Sequence, residues 1–474
     1  MASINQLLTP KQKALEINLN EKIYGTFAEV GAGQETVRHF FRAGGASGTI
    51  AKAMSAYDKD FSDAIYGKEE GGRYVNEARL MNMLDHEVGL LEQRINRSKN
   101  PGRLFFSYAN SVQTINFNKT NKGHGWVGIR FQLSEMEPYN DIIIHIRFHE
   151  NDARLQQESL GNLGVNLIYG AFYYADNPRL LLESLYDELA KDQIEIDMVN
   201  FLGPRFAYVD NRLMSLQLVK NGMTDAVIFG PDGRNLLPAD VLYKKNILAM
   251  RGSFRPVTNV NMDMLSSALA LFLNENKVEK DKLKVLFEIT LKNLRSSGEI
   301  NERDFLDRAD IIGKLGHLVL ISNFSEYFKL VEYFSRFSKE RLGLVMGVNN
   351  LIDVFDESYY GELSGGIMEA FGKLFTKDLK VYLYPFISNS GEKLDSNNLK
   401  VDSSLKELYK YIKSNKRLVD IEDVNESNLN ILSREVLKQI ALGEIGWEEK
   451  LPEGVAQMIK DRGMFGYNKG YIPI

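Results

Sequence analysis

Residues able to grip an anion recur just past the apolar runs in the middle of this chain. The run Ile247 to Arg251 stops at Arg251-Gly252-Ser253-Phe254-Arg255-Pro256, and Ile194 to Asn200 is followed by Gly203-Pro204-Arg205-Phe206 and then Asp210-Asn211-Arg212. Val285 to Thr290 carries Glu288, Ala226 to Gly230 leads into Pro231-Asp232-Gly233, Leu318 to Ser322 into Asn323, and Leu344 to Gly347 into Val348-Asn349-Asn350. Guanidinium forks match the paired oxygens of phosphate and carboxylate groups. Arg205, Arg251 and Arg255 are therefore the candidate anion ligands, Asn211, Asn323 and Asn349 would orient the bound molecule, and Glu288 or Asp232 would supply the acid–base group. Turn formation alone accounts for Gly, Pro, Asn and Asp at such places; it asks for neither arginine nor Glu288. Arg251 and Arg255 return to one face whether the chain between them is extended or makes one helical turn, so they are expected to converge on one anion. The competing expectation is internal neutralisation by Glu288.

Other groupings leave two readings each. Gly31-Ala32-Gly33-Gln34-Glu35-Thr36 and Gly44-Gly45-Ala46-Ser47-Gly48-Thr49 suit either tight turns or backbone-amide cradles for phosphate. Neither is a Walker A loop, because Lys52 does not directly follow the last glycine and no apolar strand is expected to lead into either. His145 and His149 share a face of an expected strand, where a metal with Glu150 or Asp152 competes with ordinary packing. Asp353, Asp356 and Glu357, close to Tyr359 and Tyr360, are either carboxylate ligands for magnesium or a solvated acidic turn. No metal ligand is assigned. The sequence has no GxSxG elbow and no GxGxxG fingerprint at a strand-to-helix junction, and no cofactor can be named from it.

Composition narrows the classes of partner. Fifty-eight basic against 63 acidic residues leave a net charge of −5, so no global field draws the 474-residue chain to nucleic acid or anionic lipid. The absence of cysteine removes thiol nucleophiles, Cys-ligated zinc, Fe–S clusters and disulfides together. The polar start and the lack of an 18-residue apolar stretch predict a soluble cytoplasmic protein without a membrane partner. The expected partners are an anionic small molecule and, through the helical N-terminal region and the aromatic tail Phe465 to Ile474, further copies of the chain.

The elements that must position these residues are α/β. Residues 1–155 read as a helical and β-meander region, with helices over 34–44, 47–66 and 74–98 and then strands Leu104 to Phe117, Trp126 to Leu133 and Ile142 to Phe148. Residues 156–395 alternate apolar strands with amphipathic helices, starting from a strand at Val165 to Gly170, and predict a mainly parallel sheet. Eight such strands suit either a TIM-like barrel or an open doubly wound sheet. Residues 396–474 read as a helical cap with an aromatic tail.

The runs IYGTFAEVGAGQETVRHFF, AGGASGTIAKAMSAYD, VDNRLMSLQLVKNGMTDAVIFGPDG and VLYKKNILAMRGSFRPVT resemble a full-length bacterial protein family of uncharacterised function. Its members carry names as different as nicotinate-nucleotide adenylyltransferase and TonB-dependent receptor. The resemblance spans nearly the whole chain and implies no single activity. A receptor would need a signal peptide and a membrane barrel of alternating strands, and neither pattern is present. The adenylyltransferase motif HxGH would need paired histidines, where this chain offers Lys122-Gly123-His124-Gly125-Trp126. The function this reading supports is an enzyme, transferase or hydrolase, acting on an anionic small molecule that carries a phosphate or a nucleotide; the alternative is a non-catalytic homo-oligomeric scaffold.

Overall fold

The computed structural model describes residues 7–68, 72, 74–135, 137–296, 298–376, 379–388 and 390–467. The chain divides between Thr224 and Asp225 into two units, both of mixed α/β structure.

The first unit holds strands β1 (Ile23–Gly31), β2 (Ile50–Ala56), β3 (Leu104–Gln113), β4 (His124–Phe131), β5 (Asn140–Phe148) and β6 (Ile194–Leu202) in the order β2-β1-β3-β4-β5-β6. β2, β1 and β3 run parallel, and β3 to β6 are antiparallel neighbours. Its helices are α1 (Pro10–Leu19), α2 (Thr36–Ala43), α3 (Lys59–Tyr66), α4 (Glu77–Arg94), α5 (Ala153–Tyr173), α6 (Pro178–Ser184) and α7 (Asn211–Lys220). Local chemistry sets their starts. The side chains of Asn76 and Asp152 accept backbone N–H groups at the first turns of α4 and α5, which would otherwise lack partners.

In the second unit the strands are β7 (Ala226–Phe229), β8 (Asn235–Leu236), β9 (Asn246–Arg251), β10 (Leu283–Thr290), β11 (Leu318–Ser322), β12 (Leu342–Gly347), β13 (Lys380–Tyr384), the short hairpin β14 (Phe386–Ile387) and β15 (Lys393–Leu394), and β16 (Leu418–Asp420). Helices α8 (Pro238–Leu242), α9 (Asn259–Leu273), α10 (Leu291–Leu294), α11 (Glu302–Lys314), α12 (Tyr327–Phe337), α13 (Val348–Val354), α14 (Gly366–Leu374), α15 (Lys406–Ser414), α16 (Ser433–Leu442) and α17 (Val455–Arg462) connect or follow them. The main sheet has the order β16-β13-β12-β9-β10-β11-β7-β8, with all pairs from β16 to β11 parallel. Taking β9, β10, β11, β12, β13 and β16 as first to sixth gives 3-2-1-4-5-6, the doubly wound order, and it reverses between β9 and β12. The sheet is open, with β16 and β8 at its edges, so the doubly wound alternative describes it and the barrel does not. Apolar residues of these strands, including Ile247, Leu286, Leu320 and Leu344, are buried in one cluster with Phe334, Phe371 and Leu374 of the helices, as helices packed over a parallel sheet require.

Several expectations are corrected. Val165 to Gly170 lies inside α5, because a short apolar run buried on all sides has no period that separates strand from helix. Residues 50–56, expected within a helix over 47–66 from the spacing of apolar positions, form the edge strand β2, paired with β1. Ile194 to Asn200 belongs to the first sheet, antiparallel to β5. The unit boundary accordingly falls after Thr224, not near 155. β7 runs antiparallel to β11, and β16, from the expected helical cap, completes the parallel sheet. In the tail, the Tyr467 ring meets Trp447 edge-on at 5.9 Å; Tyr471, Ile472 and Ile474 lie outside the described residues. Among the described residues, no helix is long and apolar enough to cross a membrane.

Candidate functional site at the strand-order reversal

Open α/β sheets hold ligands at the carboxyl ends of their strands, where the strand order reverses. Here that edge carries a cleft of about 260 Å³. It is lined by Arg251 at the end of β9, Thr290 at the end of β10, Ser325 and Tyr327 beyond β11, and Asn350 beyond β12. Thr290 caps α10: its hydroxyl accepts the Asn293 backbone N–H at 3.1 Å, which sets Lys292 and Asn293 at the rim. Asn350, Asp353 and Val354 follow the i, i+3, i+4 spacing of one helix face, so α13 presents all three to the cleft. Tyr359 and Tyr360 complete the wall, with the Tyr360 hydroxyl donating to the Val354 carbonyl at 2.8 Å.

Arg251 is the most constrained of these groups. Its Nε and Nη2 donate to the two Glu288 carboxylate oxygens at 2.8 and 2.9 Å, and Nη1 donates to the Ser325 carbonyl at 3.0 Å. The guanidinium lies 4.3 Å from the centre of the Tyr327 ring, a stacked cation–π arrangement. Glu288 is fully buried and also accepts from the Ser322 hydroxyl at 2.6 Å. Burial, the largest influence, would lower the Arg251 guanidinium, but the charge and hydrogen bonds of Glu288, with Tyr327 and Glu326 nearby, together outweigh it and hold the group above the usual arginine range. A guanidinium has five N–H groups, and these contacts use one on each nitrogen, leaving a second N–H on Nη1 and on Nη2.

Two further features distinguish the cleft. The buried Tyr327 hydroxyl finds no hydrogen-bond partner among the described residues, and burial pushes it up to about 12. Lys292 and Asp353 are exposed and, among the described residues, neither joins an ion pair; Lys292 Nζ lies 5.2 Å from the centre of the Tyr359 ring.

The expected site residues are only partly gathered here. Arg251 lines the cleft, and Glu288 lies beneath it as its ion-pair partner. Arg255 does not join Arg251: the chain turns at Phe254, whose φ is +47°, so neither extended nor helical spacing applies, and Arg255 pairs with Asp304 of α11 at 2.5 Å. Asp232 sits in the β7–β8 turn, where it accepts the Arg234 backbone N–H and pairs with the Arg234 side chain. Because β7 runs against β11, that turn is at the opposite edge of the sheet from the cleft. Asn323 is exposed and continues the β7–β11 pairing through its backbone, while Asn349 is one step off the face that carries Asn350. Arg205 and Asn211 belong to the first unit, Arg205 pairing with Glu137 at 3.0 Å and Asn211 bracing the Phe201 backbone.

The other groupings close on themselves. β1 does lead into the Gly31–Thr36 loop, but the Thr36 backbone N–H at the start of α2 is held by the buried Glu29 carboxylate at 3.0 Å. His145 Nδ1 meets Asp197 at 2.5 Å and its Nε2 faces His124 Nδ1 at 3.2 Å, whereas His149 turns to Glu195 at 3.4 Å. No group of three metal-ligating side chains occurs among the described residues.

The chain matches no protein-family model and no curated protein. Solved structures similar to part of it include a competence or damage-inducible protein from Enterobacter asburiae, 13% identical over 35% of this chain and 98% of that one, TM-score 0.26. A CinA superfamily protein from Enterobacter cloacae is 12% identical over 35% and 94%, TM-score 0.26. A competence/damage-inducible protein from Agrobacterium tumefaciens is 14% identical over 34% and 93%, TM-score 0.23. Overlaps this loose assign no activity to the chain.

Proposed function

We propose that the second unit binds a small anionic molecule in the cleft at the strand-order reversal, and that the protein is an enzyme, transferase or hydrolase, acting on it. The observation that carries this reading is the cleft itself: about 260 Å³ at the carboxyl edge of a doubly wound sheet, with Arg251 and Lys292 on its walls. The volume suits a compact phosphomonoester or carboxylate and falls below the usual range for larger ligands. Glu288 is sealed under Arg251 and serves to position it; Asp353, exposed at the wall, is the carboxylate placed for proton transfer. Calorimetric titration of the full chain with small phosphomonoesters and carboxylates tests the reading. A saturable ligand whose affinity falls at least tenfold in Lys292→Met supports it. No binder, or a binder indifferent to Lys292→Met, overturns it.

A further inference from the structure

The cleft has charges of both signs on opposite elements. Lys292 stands on α10 and Asp353 on α13, and neither joins an ion pair among the described residues. The other charged residues lining the cleft are matched: Arg251 pairs with Glu288, and Glu326 pairs with Lys329 at 2.7 Å. For binding alone, a carboxylate in the wall weakens the hold on an anion, since like charge repels the ligand. The same carboxylate fits an ammonium group. We propose that the ligand is a small zwitterion of the α-amino acid class, its carboxylate facing Lys292 and the remaining Arg251 N–H groups and its ammonium facing Asp353. This rests on the ligand site proposed above and adds the second charge.

The surroundings agree with that assignment. Tyr327, Tyr359 and Tyr360 form an aromatic side to the cleft, suited to the apolar part of such a molecule and to its cationic end. Asn350, one turn before Asp353 on the same helix face, offers both a donor and an acceptor.

The test is calorimetric titration of the full chain with three matched sets of probes: free α-amino acids, the corresponding amines without the carboxylate, and the corresponding 2-hydroxy acids without the ammonium. The expected result is that an amino acid binds at least tenfold more tightly than either of its single-charge counterparts. Asp353→Asn should remove the preference over the hydroxy acid, and Lys292→Met the preference over the amine. If hydroxy acids or phosphomonoesters bind as tightly as amino acids and Asp353→Asn changes nothing, the zwitterion assignment is overturned while the anion site stands. Should no probe of any set bind and no phosphomonoester bind either, the site itself is refuted.

Discussion

Glu29 of the first unit and Glu288 of the second hold the same place in their strands, two residues before the end of β1 and of β10, and both are buried. Their partners differ. Glu29 receives neutral donors, the Thr36 backbone N–H at 3.0 Å and the Asn110 amide at 3.4 Å, and burial still pushes its carboxyl up to about 8. Glu288 receives the full charge of Arg251 through two hydrogen bonds. Neutral dipoles satisfy the geometry of a buried carboxylate without repaying its desolvation, whereas a guanidinium fork also supplies the counter-charge. The result is one strand end that is closed on itself and another that leaves N–H groups of Arg251 beside a cleft.

The sharpest way to break this comparison is to remove the counter-charge. Arg251→Met leaves Glu288 buried and unpaired and should destabilise the second unit by about 3–5 kcal/mol in chemical unfolding. Replacing both residues, Arg251→Met with Glu288→Leu, should recover most of that loss. A double variant as unstable as the single one would show that the pair does more than cancel charge.

For Glu29 the effect is pH-dependent and of the opposite sign. Its folded pKa, about 8, lies above the ordinary value of 4.5, so the folded state holds a proton that the unfolded state has released between those limits. Stability attributable to this group therefore falls as pH rises from about 4.5 to about 8, by at most about 1.4 kcal/mol per pH unit. Glu29→Gln should abolish that slope and raise stability at pH 8 by about 3–4 kcal/mol relative to pH 5, measured by urea unfolding at both pH values. An unchanged slope would place the proton elsewhere.

Smaller effects are expected at the cleft. Tyr327→Phe removes a buried hydroxyl that has no partner among the described residues, so the protein should be unchanged or gain about 1 kcal/mol in urea unfolding. Arg255→Ala breaks a partly exposed pair with Asp304 and should leave ligand-induced thermal stabilisation intact. That outcome separates Arg255 from Arg251, which the sequence had joined.

The apolar runs made the parallel strands of the second unit legible, and with them the edge at which a site would form. Arg251 and Glu288 were visible because neither is a turn former. What the sequence concealed depends on chain direction and helix phase. β7 reads like its neighbours but runs antiparallel, which sends Asp232 to the far edge. Asn349 and Asn350 are adjacent letters, and only the phase of α13 shows which one faces the cleft. Tyr327 and Lys292 gave no signal, since a tyrosine at a helix start and a lysine after a strand are ordinary in isolation. In the first unit, the long buried middle of α5 carries no polar face, so its sequence has no helical period to show.

The central claim is that ligand binding belongs to the open edge of the second sheet and not to the closed strand end of the first. Hydrogen–deuterium exchange of the full chain, with and without a ligand found by titration, tests it most directly. The account predicts protection concentrated in peptides covering residues 251–254, 290–296, 325–327 and 350–360, with the β1–α2 loop at residues 31–36 unaffected. Protection at 31–36 and none at the four cleft segments would contradict it.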